Sequence, residues 1–339
     1  PKLTYPMFSK AITVTEADTA VLVQDYPAEG LDASKAFYQR DAAAFAQAAK
    51  EQGLPAAICS TMPENMDEQT RQLLISKAVA PMQGIHEALN AIHAAANWLE
   101  VRHRILLEEP EPLSPTWEWR EQAMVTEDKS KLWLVTNGFS VPEGRVVSEK
   151  DVCSVASEVG YPVALKMISP LLAHKTEAGA VVLNLKDSDT LVIATKQMKV
   201  DVTAYNPKAV TDKFLVEAMS PAPLAELIVT LRGDRQFGAA LVLGSGGTLV
   251  ELVGDVVTLL LPTSPDNIAR AVQNLRVGRL LDGFRGRPKA DIQNIASEIH
   301  RLCVFYLKDY PNVSEIEINP LFVYANKVCA VDALIHKSV

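Results

Sequence analysis

The sequence has few cysteines, few basic residues relative to acidic ones, and no long apolar run. Its four cysteines are widely spaced and form no C-x-x-C pair, which argues against a zinc site and predicts reduced thiols in a cytosolic protein. No apolar segment approaches the roughly 20 residues of a membrane span, and no signal peptide is recognisable. The net charge of −8 argues against a general nucleic-acid surface.

The composition otherwise suits folded domains. Hydrophobic residues make up 48% of the 339 positions and charged residues 22%, which is enough apolar surface for a core and argues against disorder. At roughly 100–200 residues per domain, this length predicts two or three domains. Because the sequence starts at Pro1 without methionine, we expect a fragment, a processed chain or a trimmed chain.

Residues 1–104 alternate strand and helix signals. In chain order the predicted elements are strand Thr19–Gln24, helix Ala33–Gln52, strand Leu54–Cys59, helix Asp67–Lys77, strand Val79–Pro81 and helix Gly84–His103. This alternation is typical of βαβ units on a parallel sheet. A complete doubly wound sheet has about five or six strands, so three strands predict a partial domain.

Residues 105–125 are predicted to be a linker, because the run from Glu108 to Pro112 is charged and punctuated by proline, which favours an extended path. Residues 126–339 are richer in strands. The predicted strands are Val163–Lys166, Val181–Leu185, Lys213–Met219, Ala225–Arg232, Ala239–Leu243, Val256–Leu261, Glu315–Ile318 and Val328–Val331. The predicted helices are Glu127–Asn137, a helix capped by Ser148 and ending at Gly160, Pro265–Leu275 and Ala290–Asp309.

One pair of residues suits phosphate chemistry: Lys166, at the end of an apolar strand, and His174, in the polar turn that follows. A lysine is costly to bury unless a charge such as a phosphate compensates it, although Lys166 could also reach solvent from an edge strand. A neutral imidazole can attack a phosphoryl group near pH 7, although a single loop histidine is more often only solvated. If both residues act on phosphate, the chain is a phosphotransfer enzyme.

Two further groups suit a nucleotide. Glu217 and Glu226 flank a proline-rich turn and could contact a ribose and an adenine amine at a hinge, although such charges are also common at surface strand ends. Gly246 and Gly247 lie in a glycine-rich segment whose N–H groups could face an anion. The segment is neither a Walker loop nor a G-x-G-x-x-G motif, and a tight turn explains it as well.

A candidate metal site lies near the C-terminus. Glu317 and Asn319 are two residues apart on a predicted strand, so they point to the same face. Asp332 follows the next strand and would lie beside them if the two strands form a hairpin. Carboxylate and amide oxygens suit Mg²⁺, although Asn319-Pro320 by itself could be a simple turn.

Taken in order, these motifs resemble the ATP-grasp half of the nucleoside-diphosphate-forming acyl-CoA synthetases, a superfamily that includes ADP-forming acetate–CoA ligases and succinyl-CoA synthetase. The resemblance runs from about Thr126 to the C-terminus. Its carriers are Asn137–Pro142, Gly160–Lys166, His174–Glu177, Glu226–Val229, Arg235–Gly238, Gly246-Gly247 before Val250-Glu251, and Glu317–Leu321. Residues 1–104 resemble, more loosely, the later part of the flavodoxin-like ligase domain of single-chain members.

The resemblance implies an α/β fold: a partial flavodoxin-like parallel sheet in residues 1–104, then a two-subdomain ATP-grasp fold, with subdomains at about 126–212 and 213–339. It implies ATP or ADP and Mg²⁺ as ligands. Lys166 resembles the phosphate lysine, and Glu217, Glu226, Gly246 and Gly247 fall where the family contacts the nucleotide. Asn319 and Asp332 match its Mg²⁺ ligands, with Glu317 a plausible third.

His174 matches the second phosphohistidine of the ADP-forming branch, which relays phosphate between ATP and a first phosphohistidine. The sequence departs from the family pattern at Ala180, where glycine is usual, and at Glu177, where aspartate is usual. The Gly-His-Ser/Thr segment of the first phosphohistidine and a CoA-binding domain are not found in the sequence. We therefore expect this chain to perform the nucleotide half-reaction of acid + CoA + ATP = acyl-CoA + ADP + phosphate.

The expected partners are a carboxylic acid, CoA and the rest of the enzyme, in cis or as a second chain, within a cytoplasmic oligomer that binds neither nucleic acid nor membrane. Two alternatives are a regulatory module, as in protein acetyltransferase fusions, and another ATP-grasp enzyme such as a carboxylate–amine ligase. The sequence does not indicate which acid is activated, nor whether ADP or GDP is preferred.

Overall fold

The computed structural model describes residues 4–26, 34–108, 111–116, 118, 120–172, 174–246 and 254–338. The chain divides into two compact units, Pro1–Pro110 and Glu111–Val339. Within the described ranges, none of the helices has the length and apolar character needed to cross a membrane.

The N-terminal unit is built around a three-stranded parallel sheet of order β1-β2-β3. Its elements are α1 (Thr4–Val14), β1 (Ala20–Val23), α2 (Lys35–Glu51), β2 (Ala56–Ser60), α3 (Glu68–Ser76), β3 (Ala80–Gln83) and α4 (Ile85–Glu108). Small residues on one face of α2 let it pack closely on the sheet, and the core of the unit centres on Tyr26, Phe45, Ile58 and Leu74. The parallel βαβ arrangement is the one predicted.

Two parts of this unit differ from the sequence prediction. Helix α1 was not predicted, and none of its residues is buried. Helix α4 continues to Glu108, into the segment predicted to be a linker. The reason lies in the sequence, since the stretch from Ile105 to Leu107 is apolar and no proline or glycine interrupts it.

The C-terminal unit contains two sheets. Its helices are α5 (Glu127–Thr136), α6 (Val152–Val159), α7 (Ser188–Tyr205), α8 (Pro265–Asn274), α9 (Gly278–Leu281) and α10 (Ile292–Asp309). Its strands are β4 (Gln122–Val125), β5 (Gly144–Val147), β6 (Val163–Met167), β7 (Val181–Leu185), β8 (Phe214–Ala218), β9 (Ala225–Asp234), β10 (Gly238–Ser245), β11 (Val256–Leu260), β12 (Val313–Val323), β13 (Val328–Ala330) and β14 (Ala333–Ser338).

The smaller sheet has the order β5-β8-β6-β7, and the larger sheet has the order β11-β10-β9-β12-β14-β4 with β13 paired to β12. Strand β8 therefore belongs to the smaller sheet, where it pairs with β5 and β6, so the first subdomain extends past residue 212 to Ala218. Strand β4 pairs with β14, so residues 122–125 are part of the larger sheet and not of a linker. Both assignments follow from pairing between strands that are far apart in the chain, which the local sequence does not indicate.

Each sheet has its own core. Leu165, Met167 and Phe214 are buried under the smaller sheet, whereas Leu134 of α5 lies in the core of the larger sheet. Helix α5 is thus part of the larger sheet's packing although it lies next to the smaller one.

The predicted capping by Ser148 takes another form: its hydroxyl donates to the side chain of Asp151 at 2.7 Å, and α6 starts after a short 3₁₀ turn.

A glycine fixes the spacing of β5 and β8. A Cβ atom on Gly144 would lie 2.6 Å from the Cγ of Glu217 and 2.6 Å from the carbonyl oxygen of Val216. Only a residue without a side chain allows the two strands to approach so closely. Gly144 therefore helps to hold Glu217 in place.

Candidate functional site

Lys166 is buried in the middle of the smaller sheet. Its strand, β6, lies between β8 and β7, all five of its residues are buried, and Lys166 itself is only 3% exposed. The Nζ atom donates to Glu127 Oε1 at 2.6 Å and to the carbonyl oxygen of Val331 at 3.0 Å, and it lies 3.1 Å from Glu217 Oε2. Lys166 thus does not extend to solvent, which was the alternative that the sequence left open.

A second lysine, which sequence reasoning missed, completes a ring of charges. Lys131 Nζ lies 2.9 Å from Glu127 Oε1 and 2.5 Å from Glu217 Oε1. Two lysines and two glutamates therefore alternate around a closed square, and all four are at most 5% exposed. Burying ions is costly, and such a group is tolerated only when every charge is compensated.

The electrostatics of this square favour the charged forms. Burial alone would raise the pKa of Glu127, but Lys166, Lys131 and Lys175 attract its carboxylate and bring the pKa far below its ordinary value. Burial would likewise lower the pKa of Lys166, but Glu127, Glu217 and Asp332 raise it well above its ordinary value. Glu127 and Lys166 are therefore held as an ion pair at neutral pH.

Lys175 connects the square to the larger sheet. Its Nζ atom lies 3.1 Å from Glu127 Oε2 and 3.1 Å from each carboxylate oxygen of Asp332. Burial would lower the pKa of Lys175, yet Glu127 and Asp332 raise it. The preceding residue, His174, is exposed. The loop that presents His174 is therefore anchored through its neighbour to both parts of the unit.

Two residues of the predicted metal site, Glu317 and Asn319, share one face of β12 with Glu315. Glu315, Glu317 and Asn319 alternate with buried residues along the strand, and the backbone N–H of Asn319 donates to the carbonyl oxygen of Asp332 at 3.3 Å. The hairpin predicted for this region is present, since β12 pairs with β13. Asn319 and Asp332 are therefore neighbours, as the sequence argument required.

Glu317 also lies within electrostatic range of the exposed histidine. Burial raises the pKa of Glu317, the charges of Glu315 and Asp332 raise it further, and His336 and His174 oppose the shift. Oxygen donors and excess negative charge suit a hard divalent cation, and Asp332 already holds the cationic Lys175. No cluster of three His, Cys, Asp or Glu side chains with metal-binding geometry occurs among the described residues, so the amide of Asn319 would be needed as a ligand.

The two glutamates predicted to contact a nucleotide have different surroundings. Glu217 is 2% exposed and bound in the square. Glu226 is half-buried near the start of β9, where it lies opposite Phe322 of β12. Of the two, only Glu226 has a partly open side chain, and the contact of each with a nucleotide stays a prediction.

The N–H of Gly246 is bonded to the carbonyl oxygen of Glu226 at 2.7 Å, so it is not directed at an anion. A Cβ atom at Gly246 would lie 2.6 Å from the backbone of Leu227. Close packing of two strands thus accounts for this glycine, and its contact with a nucleotide stays a prediction. Gly247 lies outside the described residues.

A cavity of about 990 Å³ lies next to this site and not in it. It is lined by residues of β4, the end of β5 and the segments before β8 and after β6, and none of the predicted site residues borders it. A much smaller gap lined by Glu127 and Lys175 shares Met124, Val125 and Ile168 with it. We place the candidate site at the charged network, because four buried charged side chains meet there and the pKa values of Glu127, Lys166 and Lys175 are shifted by their charged neighbours.

Comparison with known proteins gives one matching family. Residues 117–336 match the family model described as ATP-grasp domain. The chain is 31% identical over 214 residues to the beta subunit of acetate–CoA ligase (ADP-forming) I from Pyrococcus furiosus, covering 63% of this chain and 91% of that subunit. It is 29% identical over 198 residues to the 4-hydroxybutyrate–CoA ligase (ADP-forming) of Nitrosopumilus maritimus, covering 58% of this chain but 28% of that protein.

A solved structure supports the same relationship. The dinucleotide-forming acetyl-coenzyme A synthetase 1 of Ca. Korarchaeum cryptofilum, in complex with coenzyme A, Ca-AMPCP and HgCl⁺, has a TM-score of 0.59 and 30% sequence identity. The similarity covers 63% of this chain and 93% of that chain. Sequence and fold thus point to one group of proteins.

Proposed function

The chain belongs to the ATP-grasp domain family, and from this we propose that it is the ATP-binding and phosphotransfer part of an ADP-forming acyl-CoA synthetase. The observation that carries the proposal is the buried Lys166, whose partner Glu127 is joined through Lys175 to Asp332 of the carboxylate–amide pair. The name of the P. furiosus relative, a beta subunit covered over 91% of its length, supports a separate chain or domain as the partner that binds CoA.

Each candidate site residue would have a separate role in binding the nucleotide and the metal ion. Lys166 would hold a phosphate of ATP, and Glu226 would contact the ribose end of the nucleotide. Asn319, Asp332 and Glu317 would hold Mg²⁺, whose charge offsets that of the phosphates. The half-buried carboxylate of Glu317 is also within electrostatic range of His174, where it would stabilise the positive charge that the imidazole ring gains as it takes the phosphoryl group.

His174 would accept the phosphoryl group. A ring nitrogen of the neutral imidazole attacks the γ-phosphorus, the N–P bond forms as the bond to the β–γ bridging oxygen breaks, and ADP leaves. The exposed position of His174 would allow its loop to carry the phosphoryl group to a recipient histidine on the partner chain or domain. The acid would be selected there too, since relatives named for acetate and for 4-hydroxybutyrate are 31% and 29% identical to this chain.

The test is phosphorylation of the purified chain. With Mg²⁺ and [γ-³²P]ATP, we expect an acid-labile, base-stable phosphoenzyme that His174→Ala abolishes. His93→Ala is the matched control, because His93 is also exposed but lies on α4 of the other unit, and it should leave the signal unchanged. Labelling that persists in His174→Ala would refute the role of His174. A wild-type chain that fails to bind Mg·ATP in calorimetry would favour the regulatory module instead.

A further inference from the structure

The ammonium of Lys166 has no donor to spare. It can donate three hydrogen bonds, and three acceptors surround it: Glu127 Oε1 at 2.6 Å, Val331 O at 3.0 Å and Glu217 Oε2 at 3.1 Å. To hold a phosphate, Lys166 must give up at least one of these partners. Any carboxylate that it leaves would remain buried and short of one counter-charge, which is strongly unfavourable.

Lys131 is placed to supply that counter-charge. Its Nζ atom bonds to the same Oε1 atom of Glu127 that Lys166 uses, and to the other carboxylate oxygen of Glu217. Both glutamates would therefore keep one lysine if Lys166 turned towards a nucleotide. Lys175 compensates only Glu127 of the two, at 3.1 Å, so it cannot replace Lys131 at Glu217.

We propose that Lys131 is a positioning residue for nucleotide binding: it neutralises Glu127 and Glu217 so that Lys166 can exchange a carboxylate for a phosphate. This inference rests on the proposed function, because it takes Lys166 as the phosphate lysine. Lys131 itself does not touch the nucleotide. Without it, the two glutamates hold Lys166 as their main cation and compete with the phosphate.

The charges of the square make opposite predictions for two substitutions. Lys131→Met leaves two carboxylates around Lys166, and we expect Mg·ATP to bind about ten- to a hundredfold more weakly, since each factor of ten corresponds to only about 1.4 kcal/mol. Glu127→Gln removes one carboxylate and leaves Lys131 in place, so Mg·ATP should bind more tightly. The double variant Lys131→Met/Glu127→Gln restores the charge balance, and its affinity should return to within about threefold of wild type, a difference of well under 1.4 kcal/mol.

The measurement is the Kd of Mg·ATP by isothermal titration calorimetry, with the thermal midpoint of unfolding recorded for every variant. Lys129→Met is the matched control, because Lys129 is an exposed residue of the same helix, and its Kd should equal that of wild type. A purely structural role of Lys131 would lower the thermal midpoint in Lys131→Met without a recovery of affinity in the double variant.

The outcomes separate this inference from the proposed function. If the wild-type chain does not bind Mg·ATP, the proposed function fails. If the wild type binds and folded Lys131→Met binds equally well, only the inference fails. Should Lys131→Met not fold, Glu127→Gln decides alone: an unchanged or weaker affinity would overturn the role assigned to Lys131.

Discussion

Replacing Glu217 by glutamine should destabilise the smaller sheet, whereas the same change at Glu226 should not. Glu217 is 2% exposed and lies 2.5 Å from the Nζ of Lys131 and 3.1 Å from that of Lys166. Glu217→Gln keeps the volume of the side chain but leaves both lysines to share Glu127. Removing one partner of a buried ion pair costs about 3–5 kcal/mol. Glu226 is half-buried on β9, and Glu226→Gln should change stability by less than about 0.5 kcal/mol.

Hydrogen–deuterium exchange measured by mass spectrometry can resolve this difference within a protein of two units. A loss of about 3 kcal/mol in local stability corresponds to exchange roughly a hundredfold faster, and we expect it in peptides covering β6 and β8. Peptides from the N-terminal unit serve as the internal reference and should not change. Equal exchange in the two variants would show that the square does not stabilise the sheet, and the argument from buried charge would be refuted.

Two further predictions concern the charges around the square. Lys175→Met should increase the affinity for Mg²⁺ in calorimetry by up to about fivefold, because a pair worth up to about 1 kcal/mol no longer competes for Asp332. An unchanged affinity would show that the ion and Lys175 do not share this carboxylate. The stability of the C-terminal unit should fall below pH 4.5, since the pKa of Glu127 lies below its ordinary value of 4.5 and its stabilising charge is lost as the pH falls through the lowered pKa. Glu127→Gln should reduce the slope of stability against pH there, by at most about 1.4 kcal/mol per pH unit. Identical acid unfolding profiles for the two proteins would contradict this assignment.

Local sequence patterns predicted most strands, because β6, β8 and β9 are short apolar runs bounded by glycine, proline or charged residues. The same patterns missed α7, which begins at Ser188 after the capping residue Asp187. Its apolar residues do not collect on one narrow face, so its periodicity is weak. Strand β4 was assigned to a linker because its pairing partner, β14, is about 200 positions away in the chain.

Of the charged network, the sequence singled out Lys166, Glu217 and Asp332 but not Lys131, Glu127 or Lys175. The only local signal for the square is the spacing of Glu127 and Lys131, four residues apart on one helix. That spacing usually indicates an exposed pair worth a few tenths of a kcal/mol. It becomes a buried pair only because Glu217, 86 positions beyond Lys131, is brought against it by the fold.

Helix α5 has a mechanical consequence for the C-terminal unit. Leu134 fixes the helix in the core of the larger sheet, while Lys131 and Glu127, about one and two turns earlier, are bound to the smaller sheet by ion pairs. The helix is therefore held by apolar packing at its C-terminal end and by ion pairs at its N-terminal end. If the two sheets separate, the helix stays with the larger sheet, and the ion pairs that join Glu127 and Lys131 to the smaller sheet must break. Salt screens buried ion pairs only weakly. The frequency with which the two sheets separate should therefore depend little on ionic strength and far more on whether a nucleotide is bound.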